Sequence, residues 1–297
     1  MIAARYGAGM HAHGGERRAL AIALALVAGF AGLEASAGVV AGSLALLADA
    51  AHMLSDSLAL GLALFAAWLG QRPATPERSF GWRRAEVLAA LANALVLVLL
   101  GGWIVWTAIG RLSDPPSVTG GWVLVAGAAG LLVNLAAARV LHGAGSGLNV
   151  RAAMLHVLAD LASSVGVVVA GVVVLTTGWA HADPLAGLLI GVLVIISTFG
   201  VLRETVGVLL EGAPAGMDAR EVGAAIASTP GVVGVHDLHL WTITSGFPAL
   251  SAHVLVAAGA DCHAIRRELG VLLQERFEVT HTTLQVEHAP GLIKLAR

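Results

Sequence analysis

The chain has 297 residues, of which 57% are hydrophobic and 12% charged, with a formal net charge of −2. Soluble proteins carry about 25% charged residues, so this composition, with a mean hydropathy of +0.83, identifies an integral membrane protein with a modest polar part. No basic excess is present to attract nucleic acid, and a single cysteine, Cys262, excludes an internal disulfide.

A bilayer core of about 30 Å needs roughly 20 apolar residues per helix. Six stretches meet that length: Ala19–Val40, Leu44–Leu69, Arg84–Arg111, Gly121–Leu141, Leu148–Thr176 and Asp183–Val208. The first is too long, and too polar at Glu34, for a cleaved signal peptide. RPATP, SDPPSVTGG, HGAGSG and TTGWAHADP punctuate the spans. With an even number of spans both termini share a side. That side carries Arg5, Arg17, Arg18, Arg72, Arg78, Arg83, Arg84, Arg139, Arg151 and Arg203, against Arg111 alone opposite. Basic residues in short loops stay cytoplasmic, so residues 1–18 are expected to form a cytoplasmic tail and 19–211 a six-span domain, with 212–297 returning to the cytoplasm.

After Glu211 the texture changes. Met217–Asp218 opens a short helix. VVGVHDLHLWTIT and ALSAHVLVA alternate like strands across a turn at Ser245-Gly246-Phe247-Pro248. CHAIRRELGVLLQERF has helical spacing and HTTLQVEH alternates again. The expected fold is therefore an all-α six-helix transmembrane bundle followed by a small α+β domain of ferredoxin-like order α-β-β-α-β.

The chemistry lies in the second and fifth spans. HMLSD places His52 and Asp56 four residues apart, and HVLAD repeats the arrangement at His156 and Asp160. That spacing returns to one helix face. Ionisable groups cost about 2.5–3.5 kcal/mol each at a helix centre, so four of them need one another or a cation. Together they supply two imidazole nitrogens and two carboxylate oxygens, a tetrahedral set suited to Zn²⁺, whereas magnesium and calcium prefer more oxygens and water. A single such residue would pass as a structural hydrogen-bonder; a matched double pair would not.

ALLADAAHMLSDSLAL, RSFGWRRAEVLAALANA, MLHVLADLASSVGV and HDLHLWTITSGFPALSAHVLV strongly resemble the cation diffusion facilitator family of metal transporters, from about Arg18 to His288. His-Asp pairs in both spans resemble its zinc, cadmium and cobalt exporters; manganese-type members place two aspartates in the second span. The resemblance implies that His52, Asp56, His156 and Asp160 ligate the transported ion, and that a homodimer exports Zn²⁺ (or Cd²⁺ or Co²⁺) in exchange for protons across the inner (plasma) membrane.

Other residues divide between roles. Asp49, one turn before His52, either relays protons or holds a ligand, or simply meets water at the outer interface. Glu34, Asn93 and Asn134 are read as interhelical hydrogen-bonders, and Ser55, Ser57, Ser163 and Ser164 as residues that let helices approach. Some family members carry a second metal site beside Ser79-Phe80-Gly81, but this chain has Thr75, Arg78 and Trp82 there. Arg84 and Glu211 fall where the resemblance implies an ion pair near the dimer seam and domain hinge; alternatively Arg84 only anchors the cytoplasmic face. In the polar domain, His236, His253 and His263, with Glu287 and His288 at the last strand's end, match a tail site that binds Zn²⁺ and steadies the dimer. His11 and His13 either gather metal at the cytoplasmic mouth or belong to a tail.

No enzymatic role is expected, because HExxH is missing and no G-x-S-x-G elbow lies in the spans. The remaining alternative is a proton-coupled exporter of a small organic solute that uses the pairs as relays. Such a protein would be expected to line its pocket with aromatics, and only 5% of this chain is aromatic.

Overall fold

A computed structural model describes residues 3–143 and 148–289, with side chains described for residues 21–143, apart from 60, 63 and 67, and for residues 154–289. The side chains of His11, His13 and Arg151 thus lie outside the described residues. Helix α1 spans Ala3–Ala41, α2 Leu44–Gly70, α3 Ala85–Ser113, α4 Gly120–His142, α5 Leu148–Thr177 and α6 Ala182–Leu209. All six contain segments long and apolar enough to cross a membrane. The polar part follows as α7 Ala219–Ala227, β1 Val232–Thr244, β2 Phe247–Val256, α8 Cys262–Phe277 and β3 His281–His288, the expected order α-β-β-α-β. The chain forms two compact units, one containing residues up to Leu62 and Ala92–Gly200, the other Ala63–Leu91 and the residues from Val201 onward.

In the first unit the helices are apolar nearly all round. Leu99, Trp106, Leu132, Ile196 and Phe199 are exposed, as side chains facing lipid must be, while Leu46, Ile104, Val123, Val167 and Val194 form a buried cluster. Lipid gives no hydrophobic drive for helices to associate, so small residues that allow close approach supply the contact. A Cβ on Gly171 of α5 would lie 2.9 Å from the Leu124 nitrogen of α4. A Cβ on Gly191 of α6 would lie 2.9 Å from Ile104 Cγ2 of α3.

The start of α2 is held from another helix. Ser43 Oγ accepts from Leu46 N at 3.2 Å, a local cap. Asp183, fully buried in the first turn of α6, accepts from the Ser43 hydroxyl, from Leu44 N at 2.7 Å and from Ala45 N at 3.4 Å. Arg111 of α3 stands 4.0 Å from that carboxylate and donates to Gly42 O at 2.8 Å. Gly42, at φ +67°, makes the left-handed turn between α1 and α2.

In the polar domain the sheet order is β1-β2-β3, with β1 antiparallel and β3 parallel to β2. The hairpin turn is shorter than expected: only Ser245 and Gly246 separate the strands, while Phe247 and Pro248 belong to β2. Gly246 at φ +67° permits the two-residue turn. Pro248 pairs with Thr242 on the β1 side of β2, just before an irregularity in the register. Val222, Ile226, Leu250, Val254, Leu269 and Leu273 form the core beneath the sheet. Asp218 caps α7 by accepting from Arg220 N at 2.8 Å, and Asp261 caps α8 from His263 N and Ala264 N at 2.9 and 3.0 Å.

Candidate metal centre

The two His-Asp pairs converge. On α2 and α5 the helical spacing puts each histidine one turn from its aspartate, and the two faces meet. His52 Nδ1 lies 3.6 Å from Asp56 Oδ2, which lies 3.2 Å from His156 Nε2, which lies 3.6 Å from Asp160 Oδ2. His52 Nε2 is also 3.6 Å from Asp160 Oδ1. Three of these four separations exceed hydrogen-bonding range. They match something else. Ligand atoms at about 2.0–2.1 Å from a tetrahedral Zn²⁺ stand about 3.4 Å from one another, close to these separations. His52, Asp56 and Asp160 offer ligand atoms all in mutual reach, while His156 stands near both aspartates but outside that group, its ring centroid 6.0 Å from that of His52. His52 Nδ1 and both Asp160 oxygens are buried without a hydrogen-bond partner, and Asp56 Oδ2 is met by the His156 ring nitrogen at 3.2 Å. Asp160 is 1% exposed and His156 43%, so the quartet is sealed on one side and open at His156.

Around this quartet lies a second polar layer, partly missed by the sequence reading. Asp49 is 1% exposed, so it does not meet water at an interface. It accepts from Ser163 Oγ at 2.6 Å and from Ser164 Oγ at 3.4 Å. Asn134 donates to Ser164 Oγ at 3.2 Å, as expected of an interhelical residue. Asn93 makes no side-chain hydrogen bond among the described residues, contrary to expectation, and the buried Glu34 carboxyl lies against that of Asp49 on the neighbouring helix. The serines on α5 do more than admit a neighbouring helix: they hold the Asp49 carboxylate.

In the polar domain His236 and His253 are cross-strand partners on β1 and β2, with ring centroids 5.1 Å apart. The ladder is irregular between His236 and His239, and Asp237 takes the left-handed conformation at φ 49°. Such a bulge re-aims side chains; here Asp237 Oδ2 stands 3.1 Å from His236 Nδ1. His236, Asp237 and His253 form one group with ligand atoms in mutual reach. His263 and His288 do not join it among the described residues. His288 instead sits 3.0 Å from Ala260 O and 3.8 Å from Cys262 Sγ, and the Glu287 carboxylate meets the Gln285 amide. Glu287 and His288 pair in register with Leu255 and Val256, beyond His253. A regular strand would point Asp237 away from His236, so alternation alone does not place it in the site.

Within the second unit Arg84 and Glu211 form an ion pair at 3.7 Å, with side chains 40% and 70% exposed, where solvent leaves it little energy. Thr75 and Arg78 pair through backbone hydrogen bonds of 3.1 and 3.0 Å, and the Arg78 guanidinium stacks 3.9 Å over Trp82. Thr244 of β1 donates to Glu86 of α3 at 2.9 Å.

Residues 20–210 match the cation efflux transmembrane domain and residues 214–289 the cytoplasmic domain of cation efflux proteins. The chain belongs to the cation efflux family. Relatives within that family span nearly all of it. The metal cation efflux system protein CzcD of Cupriavidus metallidurans is 43% identical over 96% of this chain and 91% of its own length. The zinc transporter ZitB of Escherichia coli is 40% identical over 92% and 88%. The cadmium, cobalt and zinc/H⁺-K⁺ antiporter of Bacillus subtilis is 38% identical over 93% and 91%.

Proposed function

We propose that this chain exports divalent metal cations, Zn²⁺ foremost and Cd²⁺ or Co²⁺ with it, by exchange for protons. The observation that carries the reading is the convergence of the two helices' pairs: His52, Asp56 and Asp160 offer ligand atoms in mutual reach, and His156 stands 3.2 and 3.6 Å from the two aspartates. Family membership and the names of its relatives support it. These four residues are the transport ligands. All four must shed protons to bind metal, so Zn²⁺ and H⁺ compete for the same lone pairs, and histidine's ordinary pKa of about 6.5 sets that competition near physiological pH. A metal loaded from one side and displaced by protons from the other couples the two fluxes, with helices rocking around a fixed site. The four-ligand set leaves no open position of the kind a catalytic zinc needs, which argues for carriage rather than hydrolysis. The alternative, an organic-solute exporter, has no support in this spacing or in the family.

The working form is a homodimer in the inner membrane, with both termini cytoplasmic, a reading the arginine asymmetry supports. In its polar domain His236, Asp237 and His253 hold a further metal ion that steadies the dimer. The Arg84–Glu211 pair sits at the hinge. Asp56→Ala or Asp160→Ala should abolish zinc-driven proton flux in proteoliposomes while the protein stays folded. Full flux in both variants would overturn the assignment.

A further inference from the structure

Where α2 ends, the chain builds a cavity that the transport reading does not use. The helix closes at Gly70, and the loop after it turns back through the paired backbones of Thr75 and Arg78 and through Gly81, left-handed at φ +65°. Arg72 near one end of this loop and Arg83 near the other thereby line one cavity of about 540 Å³. Gln71 and Ser79 line it too, with Phe247 and His281 from the polar domain.

The two arginines are set for an anion. Arg72 Cζ lies 4.4 Å over the Trp68 ring, and Arg83 Cζ lies 4.3 Å over that of Phe247. A guanidinium stacked on a ring keeps its N–H edge free, and that planar fork matches the paired oxygens of a phosphate. Among the described residues the arginine ion pairs involve Arg84, Arg111 and Arg276, so Arg72 and Arg83 have no carboxylate partner. No acidic residue lines the cavity, and His281 is its one strong metal ligand, which excludes a cation site.

The surroundings indicate the source of the anion. In the last turns of α2, Phe65 and Trp68 are 58% and 53% exposed, with ring centroids 5.7 Å apart. Aromatic side chains at the end of a span sit at the level of the lipid headgroups, and Arg72, stacked on Trp68, shares that level. A basic recess at that depth meets lipid phosphate at far higher local concentration than any soluble phosphate.

We propose that this cavity binds the phosphate of an anionic phospholipid from the leaflet at the C-terminal end of α2, gripped by Arg72 and Arg83. Ser79 and His281 add donors. The bound headgroup bridges the end of α2 to the polar-domain strands β2 and β3, which begin at Phe247 and His281. The site is independent of which ion the chain carries.

The test titrates the full chain in neutral detergent with phosphatidylglycerol, phosphatidylcholine and inorganic phosphate. Native mass spectrometry reads bound lipid, and the unfolding midpoint is followed in parallel. Phosphatidylglycerol should bind about tenfold more tightly than phosphatidylcholine, whose choline brings a cation to the arginines, and should raise the midpoint. Arg72→Gln and Arg83→Gln should each weaken it about fivefold, the weight of one basic residue at an anionic surface. Both side chains are exposed, so their loss does not threaten the fold.

Two further variants separate a site from diffuse surface charge. Arg78 belongs to the same loop but stacks over Trp82 and does not line the cavity, so Arg78→Gln should leave binding unchanged. Phe247→Leu removes the ring under Arg83 without changing any charge, and should weaken binding about threefold. Equal losses in all three arginine variants with Phe247→Leu unaffected would reduce the effect to surface charge and overturn the proposal. Equal affinity for the two lipids would do the same. Displacement of the lipid by inorganic phosphate at comparable concentration would assign the cavity to a soluble phosphate compound and overturn the lipid assignment.

Discussion

The carboxylate of Asp183 accepts the backbone N–H of Leu44 at 2.7 Å, so the helix that carries His52 and Asp56 is capped by a side chain 139 residues away. The first N–H groups of a helix have no partner of their own, and in an apolar bundle water cannot satisfy them. Asp183→Ala leaves these donors unpaired and should cost about 1–3 kcal/mol, read as a lower unfolding midpoint in detergent. Asp183→Asn, which keeps an acceptor oxygen, should lose less. Equal midpoints for parent and alanine variant would show that α2 is held elsewhere.

Ligand type should set metal preference. His52→Asp converts two nitrogens and two oxygens into one nitrogen and three oxygens, a harder set. Zinc affinity should fall by about tenfold, equivalent to about 1.4 kcal/mol, while Mn²⁺ gains on Zn²⁺ in competition transport assays. An unchanged ranking of the two metals would remove His52 from the ligand set.

The polar-domain group is narrower than the five-residue set that the resemblance implied. In an Asp56→Ala, Asp160→Ala background, where the membrane site is disabled, zinc should still protect the protein against thermal unfolding. His236→Ala or His253→Ala should remove that protection, and His263→Ala should leave it. Protection lost with His263 instead would return that residue to the site.

Asp261 carries a pH dependence with a definite sign. The Ala264 N–H, which its carboxylate accepts at the start of α8, holds its pKa below the ordinary value of 3.8, with the His263 N–H and Arg267 adding to the effect. Because the folded value is the depressed one, the cap's contribution is present above the ordinary carboxylate range and is lost as pH falls through the folded value. The protection factor of the Ala264 amide, its exchange rate referred to the intrinsic rate at each pH, should fall on acidification in the parent. In Asp261→Ser it should show no such carboxylate step.

Much of this was legible in the sequence for a physical reason. Lipid forces helices of fixed length, and the cost of ionisable groups within them makes His52, Asp56, His156 and Asp160 conspicuous. Alternation and turn residues revealed the order of the polar domain. What stayed hidden depends on contacts between distant segments or on local irregularity. Asp183 reads as an ordinary acidic residue in a helix's first turn, and nothing in HADP announces that it caps another helix. Glu34 reads as one polar residue among several, because its burial against Asp49 is a property of packing. Asp237 joins His236 only because β1 bulges, and the extra residue that makes a bulge leaves no mark in an alternating pattern.

The most direct test is a structure of the zinc-loaded full chain with anomalous scattering measured at the zinc edge. The account predicts a peak between α2 and α5, about 2.0–2.2 Å from one nitrogen each of His52 and His156 and one oxygen each of Asp56 and Asp160. Zinc bound only in the polar domain, with the α2–α5 quartet left vacant at saturating metal, would contradict it.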